Sequence, residues 1–564
     1  MLFAISLASC SSDKEDVSAE IKPNKESLSF PKEGGTEILY VQSNTTLEIN
    51  SSESWCSIKE ESSASASNRK FSITAAANPE TDERLATLTF SDAGISRKVD
   101  VVQAAATRFI IKNPVFNVSG EGGVISVEMS VSGAYEMKIN NEDWIRPVST
   151  KAMSDKTEQF LIDKNQMAQE RTGTITFTMA DITETVTVTQ SGIEIPAPDK
   201  TGMESDATTL AKKIFMGWNL GNSLEAPGSE VAWGNPRTTK AMIDVVKASG
   251  FNAVRIPCAW DNYLEDQITY KIKESWFARV KEVVNYCVDN DMYAIINIHW
   301  DGGWLENNCT PDKQEEVTYK QHVLWTQIAS YFRDYDEHLL FAGCNEPNVD
   351  SPGQMAVLKA YEQTFIDAVR ATGGRNAYRN LIVQGPGTDI DNTDNLMDMP
   401  ADSEPGRLMM EVHYYSPWLF CILEEDGGND WNTMHYFWGR DFERYATGEY
   451  AGRWSGEWGE EYVNTQFQKM KTRFADNGIP VILGEFGAVR RILADPVIQQ
   501  AHDESRAYFF RYIMEQSKNH GLVPFFWDNG GSNKPLFDRM NGMTPDPLLL
   551  NAMVEGAEAG NYPF

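Results

Sequence analysis

The sequence lacks the patterns that mark several common classes of protein. Its seven histidines form no HxH or HExxH spacing, and its seven cysteines form no CxxC pair, so we expect no metal site and no other cofactor. Positive charge is scarce: 50 lysines and arginines stand against 81 acidic residues, a net charge of −31. Since nucleic-acid binding needs a basic surface, we expect no nucleic-acid partner.

Long apolar runs are also missing, and the cysteines are scattered. No stretch of about 20 apolar residues occurs, as a membrane-spanning helix would require. Cys258, Cys287 and Cys344 lie within apolar segments, which is typical of buried thiols, and we expect no structural disulfide.

The N-terminus carries a candidate targeting signal. A short apolar run, Met1–Ala8, is followed by Ser9 and Cys10 and then by a polar, acidic stretch. Small residues before a cysteine are typical of bacterial lipoprotein signals, which predicts lipidation of Cys10, a signal and tether over residues 1–20, and an outer-membrane, cell-surface lipoprotein. The alternative is an N-terminus without an anchor, on an extracellular or periplasmic protein.

An internal repeat with an offset of ~88 residues covers residues 21–192. Each copy contains an E-G-G turn, one central tryptophan, a T-x-T-F segment and a final strand ending in V-x-Q. Apolar and polar residues alternate with period two, which predicts half-buried strands. We therefore predict two β-sandwiches, over residues 21–106 and 107–192.

These repeats resemble BACON domains, the immunoglobulin-like modules common in carbohydrate-active proteins of Bacteroidetes. The resemblance rests on SSESW and NNEDW around Trp55 and Trp144, and on the V-x-Q ends. We expect both tryptophans to be core residues. Two roles remain open for these domains: a spacer, or a glycan- or mucin-binding module.

After a linker at 193–204, strand-like segments alternate with amphipathic helical segments up to residue 564. This alternation is typical of parallel strands joined by helices. Eight strand candidates predict a (β/α)₈ barrel over residues 205–564. They are Phe215–Gly221, Asn252–Pro257, Tyr293–His299, Leu339–Cys344, Asn380–Gln384, Leu408–Tyr414, Pro480–Leu483 and Val523–Trp527.

Polar and ionisable residues gather at the C-terminal ends of these strands, where active sites of such barrels form. Burying them has a desolvation cost, which indicates a function. They are Arg255, His299, Asn345, Glu346, His413, Tyr415, Glu485 and Trp527.

Glu346 and Glu485 follow the fourth and seventh strands, on opposite sides of the barrel mouth. Retaining glycoside hydrolysis needs two carboxyl groups about 5–5.5 Å apart, so Glu346 is the candidate general acid/base and Glu485 the candidate nucleophile. We expect Arg255 and Tyr415 to donate to one oxygen of Glu485. Burial and the charge of Glu485 should raise the pKa of Glu346.

Two further contacts with a sugar can be expected. Asn345 can hydrogen-bond the 2-hydroxyl group, a contact that strengthens in the transition state. The indole of Trp527 can form the floor beneath the ring at the cleavage site.

This residue set resembles glycoside hydrolase family 5. The segments GWNLGNSL, which contains Asn222, and WGNP resemble its endoglucanase and xyloglucanase branch, subfamily 4. The resemblance implies supporting roles for His299 and His413 and a substrate contact at Asn222. Trp300 stands where that branch often has a second histidine, and we expect it to contact substrate.

The segment from Ser416 to Gly478 is longer than a loop plus one helix requires and is rich in aromatic residues. Long segments after barrel strands usually build the binding cleft. We expect Trp418 and Trp438 to contact sugar.

The first prediction for function is endo-acting hydrolysis of a β-1,4-linked plant glucan: cellulose, mixed-linkage glucan or xyloglucan. A β-mannan is the alternative substrate. A non-catalytic glycan-binding surface protein is the alternative outside the enzymes. The expected partners are a polysaccharide and, through the lipid anchor, the outer membrane, and we expect a monomer.

Overall fold

The computed structural model describes residues 19–62, 67–80, 82–92, 94–106, 108–140, 144–148, 157–165, 169–267, 269–427, 432–531 and 536–564. Cys10 lies outside these residues. The chain forms two compact units, the first up to Gly192 and the second from Ile193 to Phe564.

The first unit contains sixteen strands among its described residues, in four sheets of four strands. Strands of the first repeat are β1 (Ile21–Pro23), β2 (Ser27–Phe30), β3 (Gly35–Ser43), β4 (Glu48–Ser51), β5 (Cys56–Glu61), β6 (Asn68–Ala75), β7 (Arg84–Asp92) and β8 (Ile95–Gln103). Their sheets have the orders β1-β3-β6-β5 and β2-β8-β7-β4.

The second repeat has the same kind of arrangement. Its strands are β9 (Phe109–Ile111), β10 (Val115–Val118), β11 (Gly123–Val131), β12 (Glu136–Ile139), β13 (Ile145–Pro147), β14 (Thr157–Ile162), β15 (Arg171–Met179) and β16 (Ile182–Gln190). Their sheets have the orders β13-β14-β11-β9 and β10-β16-β15-β12. In each repeat one short strand pairs in parallel with the last strand, and the other pairs are antiparallel.

Alternating sequences create the two separate sandwich cores. Buried and less buried residues alternate along β7 and β15, as expected of strands with one face on a core. Trp144 belongs to the second core, and Trp55 packs partly buried against the first. The guanidinium groups of Arg84 and Arg171 each lie 4.3 Å from the centre of one of these indole rings. Both tryptophans are therefore structural, as predicted.

The second unit is a closed barrel of eight parallel strands, in chain order around the barrel. The strands are β17 (Gly217–Leu220), β18 (Ala253–Ile256), β21 (Tyr293–Asn297), β22 (Leu339–Ala342), β23 (Leu381–Gln384), β24 (Leu408–Tyr414), β25 (Val481–Phe486) and β26 (Leu522–Asp528). All eight predicted strands are present, and the predicted fold class is confirmed.

Ten α-helices accompany the barrel strands in the described part of this unit. They are α1 (Ala207–Lys213), α2 (Lys240–Ala248), α3 (Glu274–Val288), α4 (Gln314–Tyr331), α5 (Pro352–Ala371), α6 (Ile390–Leu396), α7 (Trp418–Cys421), α8 (Glu460–Arg473), α9 (Pro496–Asn519) and α10 (Pro547–Ala559). Two small hairpins are formed by β19 (Leu264–Asp266) with β20 (Lys271–Ile272), and by β27 (Phe537–Asp538) with β28 (Thr544–Pro545).

The barrel strands are apolar and buried on both faces, because helices cover the outside and side chains fill the inside. Buried residues of α1 share a core cluster with residues near the starts of the strands, including Ala253, Tyr293 and Val523. Helix α1 thus closes the N-terminal end of the barrel and leaves the C-terminal end for a site.

Two smaller predictions can also be compared with the structure. Six cysteines are described and all six are buried, as expected of thiols within apolar segments. Over the described ranges, we find no helix with the length and apolarity needed to cross a membrane.

Candidate active site

The two predicted catalytic glutamates meet at the C-terminal end of the barrel. Glu346 follows β22, and Glu485 lies near the end of β25. One carboxylate oxygen of each lies within 4.8 Å of the other and of a ring nitrogen of His413. This separation is close to the 5–5.5 Å of retaining glycoside hydrolases and shorter than the 6.5–9.5 Å of inverting ones.

The strands change register where these side chains leave the barrel. The pairing of β24 with β25 shifts between Val412 and His413, and that of β25 with β26 shifts between Leu483 and Phe486. Such irregularities re-aim side chains near active sites. They occur here at His413 and Glu485.

Glu485 is buried and held by two donors. Arg255 donates from Nη1 to Oε1 at 2.9 Å, and the Tyr415 hydroxyl donates to Oε2 at 3.0 Å. The expectation that both donors share one oxygen is wrong, because β18 and β24 approach the carboxylate from different sides. With both oxygens engaged, the carboxylate has a fixed orientation.

Glu346 is held by His413 and stays open to solvent. Its Oε1 lies 2.6 Å from Nδ1 of His413, and 43% of its side chain is exposed. Asn345, the preceding residue, accepts a hydrogen bond at Oδ1 from Nη2 of Arg255 at 2.8 Å. Arg255 therefore bridges Asn345 and Glu485 across the barrel mouth.

His413 is positively charged in this arrangement. Burial lowers its pKa, but the charge of Glu485 and the hydrogen bonds with Glu346 and Glu411 outweigh burial and raise the pKa to about 10. Both ring nitrogens then carry protons, consistent with acceptors at 2.6 Å and 3.3 Å.

The two acids are affected unequally by this charge. Burial raises the pKa of Glu485 above its ordinary value, although His413 and Arg255 partly offset the effect. Burial also acts on Glu346, but the hydrogen bond and charge of His413 bring its pKa below the ordinary value. The expected raised pKa of Glu346 is therefore wrong, because the adjacent imidazole is a cation.

A metal ion does not suit this group of side chains. Glu346, His413 and Glu485 are close enough to surround one. However, Arg255 already places a positive charge 2.9 Å from Glu485, which opposes a metal cation at the same carboxylate.

His299 and Trp527 complete the barrel mouth. Their rings lie nearly parallel, with a 6° angle and 5.9 Å between centres. Burial, together with the charges of Arg255 and His413, lowers the pKa of His299 well below its ordinary value. His299 is therefore neutral, and the partly exposed indole of Trp527 can serve as a floor for a sugar ring.

The predicted substrate-contacting residues divide into two groups. Asn222, Trp300 and Trp418 follow β17, β21 and β24 at the same end of the barrel, and the two indoles are 43% and 48% exposed. Trp438 is fully buried against Tyr508, Phe509 and Tyr512. The prediction for Trp438 is wrong, because it packs its loop onto α9.

Two buried glutamates near the site were missed. Glu411 lies in β24, two residues before His413, with its carboxylate 2.9 Å from Nε of Arg255. Residues two apart on a strand share a face, so the alternation in LMMEVHY could have revealed it. Glu225 accepts hydrogen bonds from the backbone N–H groups of Asn222 and Ser223 and shapes the loop after β17.

The site has two carboxylates at this spacing, held by arginine, tyrosine and histidine at the C-terminal end of a (β/α)₈ barrel. This combination defines a glycoside hydrolase. Residues 219–533 match the profile described as Cellulase (glycosyl hydrolase family 5), and residues 42–104 and 134–191 match BACON, a putative binding domain. The chain belongs to glycoside hydrolase family 5 and carries BACON domains.

Known relatives include enzymes acting on xyloglucan. The chain is 33% identical to a xyloglucan-specific endo-β-1,4-glucanase of Bacteroides ovatus, over 83% of this chain and 98% of that protein. It is 34% identical to endoglucanase A of Paenibacillus barcinonensis, over 62% of this chain and 90% of that protein. These relatives support the predicted endo-β-1,4-glucanase activity.

Solved structures show the same relationship. A Bacteroides ovatus family 5 xyloglucanase in complex with a XXXG heptasaccharide has a TM-score of 0.60 at 32% identity, over 80% of this chain and all of that one. A second similar structure is a xyloglucan-specific β-1,4-glucanase from a ruminal metagenomic library, in complex with XXLG. Its TM-score is 0.59 at 38% identity, over 64% of this chain and 98% of that one.

Proposed function

We propose that this protein is a retaining endo-β-1,4-glucanase that prefers xyloglucan. One observation carries the mechanism: carboxylate oxygens of Glu346 and Glu485 lie within 4.8 Å of each other. That gap accommodates an anomeric carbon and its glycosidic oxygen but leaves no room for the additional water of an inverting enzyme.

Glu485 attacks the anomeric carbon and forms a glycosyl-enzyme intermediate. Its oxygens are oriented by Arg255 and Tyr415, at 2.9 Å and 3.0 Å. Burial raises the pKa of the Tyr415 hydroxyl well above its ordinary value, so this group remains a proton donor. Asn345, whose carbonyl oxygen is held by Arg255, directs its amide nitrogen towards the sugar 2-hydroxyl.

Glu346 gives a proton to the leaving oxygen and later takes one from water. In the empty site this proton is shared with His413 across a 2.6 Å contact. A bound sugar covers the half-exposed carboxylate of Glu346, and loss of water raises the pKa of a carboxyl group. The proton then moves onto Glu346, where the leaving group needs it.

The preference for xyloglucan is supported by two relatives named for that substrate, at 33% and 38% identity. The exposed indoles of Trp300 and Trp418 suit a long, flat glucan backbone.

Parallel digestion of xyloglucan, barley β-glucan, carboxymethylcellulose and glucomannan tests the substrate. We expect the highest kcat/KM on xyloglucan, with early products of intermediate length from internal cleavage. Glu485→Gln, prepared in the same way, is the control for contaminating activity. Fastest cleavage of mannan linkages would contradict the proposal.

We also propose attachment to the outer membrane through a lipid on Cys10. The support is the sequence around this cysteine, which lies outside the described residues. When the full chain is expressed in a bacterium fed labelled palmitate, it should incorporate label, whereas Cys10→Ala should not. Equal labelling of the two forms would exclude this anchor.

A further inference from the structure

Glu411 is a fully buried carboxylate behind the two cationic side chains of the site. Its Oε1 lies 2.9 Å from Nε of Arg255 and 3.3 Å from Nε2 of His413. Arg255 uses a different atom, Nη1, for Glu485, and His413 uses Nδ1 for Glu346. Each cation therefore lies between Glu411 and one of the two catalytic acids.

Glu411 is itself held from two sides. Gln384 donates from Nε2 to Oε2 of Glu411 at 2.6 Å, and its own Oε1 accepts the backbone N–H of Cys344 at 2.9 Å. A Cβ atom at Gly484 would lie 2.0 Å from Oε1 of Glu411, so only glycine fits there. The carboxylate thus packs against the backbone of β25 immediately before Glu485 and is linked through Gln384 to the backbone near Glu346.

The charges of the cluster show what this carboxylate does. Glu346, Glu411 and Glu485 face Arg255 and His413, which leaves one negative charge in excess when His413 is protonated. A buried charge without a partner is strongly unfavourable, and a nearby anion opposes the loss of a proton. The carboxylate of Glu411 therefore favours retention of the proton that His413 and Glu346 share.

We propose that Glu411 is a positioning residue of this active site, which holds Arg255 against Glu485 and His413 against Glu346. It touches neither reacting carboxylate and acts through the two cations. The inference rests on the proposed roles of Glu346 and Glu485.

Groups from several elements face Glu411 or influence its charge. They are His413 on β24, Arg255 on β18, Glu346 and Cys344 after β22, Gln384 on β23, and Glu362 on α5. Glu485 on β25 acts on the charge of His413. Burial raises the pKa of Glu362 to about 8, so this neighbour is uncharged in weakly acidic solution.

Glu411→Gln removes the charge and keeps the size of the side chain. We expect kcat on xyloglucan to fall at least tenfold, with KM within about twofold. The basic limb of the kcat/KM profile should move to lower pH, because the shared proton is lost more easily without the nearby anion.

Glu362→Gln is the matched control. Glu362 is equally buried and contacts Gln384, accepting its backbone N–H at 3.0 Å, but it touches neither cation. With a pKa of about 8, Glu362 is ionised at the pH of the basic limb, but it contacts neither cation, so this variant should move the limb less than Glu411→Gln does. Glu411→Asp keeps the charge but is one methylene shorter, so it should retain the wild-type limb with a reduced kcat, even if Glu411→Gln does not fold.

A second measurement does not depend on turnover. In the full chain labelled with ¹⁵N-histidine, the His413 signal can be assigned by its loss in His413→Gln. Its titration should shift to lower pH in Glu411→Gln and shift less in Glu362→Gln, because Glu362 does not contact His413. If the wild type cleaves no β-glucan, the proposed function fails, while this titration still tests Glu411.

Several results would overturn the inference. One is a wild-type kcat and pH profile in Glu411→Gln. Another is an equal shift of the basic limb in Glu362→Gln. A third is a Glu411→Gln variant in which kcat and Tm fall together while the titration of His413 stays at the wild-type pH. That result would show that Glu411 has only a structural role.

Discussion

At the scale of single residues, Glu346 and Glu485 differ in their exposure to water and in their donors. Glu485 has 7% of its side chain exposed and receives a hydrogen bond on each oxygen. Glu346 is 43% exposed and has His413 as its partner. A fixed anion suits attack on carbon, and an accessible carboxyl group suits proton exchange with a leaving group and with water.

Substitution of each acid by alanine separates their roles. Glu346→Ala should slow xyloglucan cleavage by roughly 10²–10⁴-fold, the usual contribution of a general acid. The Glu346→Ala variant should still form the glycosyl-enzyme intermediate from an aryl glycoside with an activated leaving group, because such a group needs no protonation. Added azide should accelerate the turnover of this variant. Glu485→Ala should turn over neither substrate, as steady-state kinetics can show.

The reverse pattern would exchange the two roles. Activity of Glu485→Ala on the activated glycoside, together with complete loss in Glu346→Ala, is the outcome that contradicts the assignment. Melting curves of both variants serve as the control that the fold is kept.

The pH dependence of kcat/KM follows from the two shifted groups. As pH falls, activity is lost when Glu485 becomes protonated, and its raised pKa puts this limb above the ordinary glutamate range. As pH rises, activity is lost when the proton shared by His413 and Glu346 leaves, and the pKa of His413 is raised to about 10. The profile should be a bell whose basic limb lies above the ordinary histidine range. A basic limb near pH 6 would show that His413 does not hold this proton.

At the scale of secondary-structure elements, β24 and β25 carry three of the five charged side chains of the site. Strand β24 supplies Glu411 and His413, and β25 supplies Glu485. Their pairing shifts register at His413, directly where the side chains enter the site. The position before Glu485 is occupied by glycine because the carboxylate of Glu411 fills the space where a side chain would lie.

Gly484→Ala tests this close contact between the strands. The new methyl group would displace Glu411 or β25, and overpacking of this kind costs about 1–3 kcal/mol. We expect a Tm lower by several degrees and a kcat reduced at least tenfold.

Gly487→Ala is the matched control for that variant. A Cβ atom there would meet Tyr415 at 3.5 Å, an ordinary contact. Its activity and Tm should stay close to those of the wild type. Equal effects of the two substitutions would show that the contact with Glu411 has no special weight.

The barrel strands could be predicted because parallel strands buried on both faces appear as short apolar runs, such as YAIIN and LIVQ. The catalytic glutamates could be predicted because each stands at the end of such a run. Sequence alone did not distinguish Trp418 from Trp438, since both lie in one long aromatic segment. The difference arises from packing: Trp438 meets three aromatic rings of α9, and Trp418 does not.

The protonation of the site could not be predicted either. The sequence placed two acids together, and mutual repulsion alone would raise the pKa of Glu346. The protonation of His413 depends on distances of a few ångströms to Glu346 and Glu411. The sequence does not contain these distances.

At the scale of the whole molecule, the two units have separate cores. The described residues of the sandwiches and of the barrel form distinct buried clusters. Trp55 and Trp144 are covered by arginine side chains. Within the described part of the sandwiches, Tyr40 is the one aromatic among the exposed large apolar residues. A spacer role for the sandwiches stays a prediction, beside the alternative of glycan binding.

A protein consisting of residues 193–564 tests the spacer hypothesis. It should hydrolyse soluble xyloglucan with a kcat/KM within about twofold of the full chain, because the site contains residues of this unit alone. Both forms should also bind insoluble polysaccharide equally in a pull-down. Weaker binding by the shorter form would instead support glycan binding by the sandwiches.

The central claim is that the two carboxylates lie close enough for double displacement. The stereochemistry of the first product tests this claim most directly. Proton NMR during the first minutes of xyloglucan hydrolysis distinguishes the anomers before mutarotation. With carboxylate oxygens within 4.8 Å, we predict that the β-anomer appears first. Initial release of the α-anomer would contradict the mechanism.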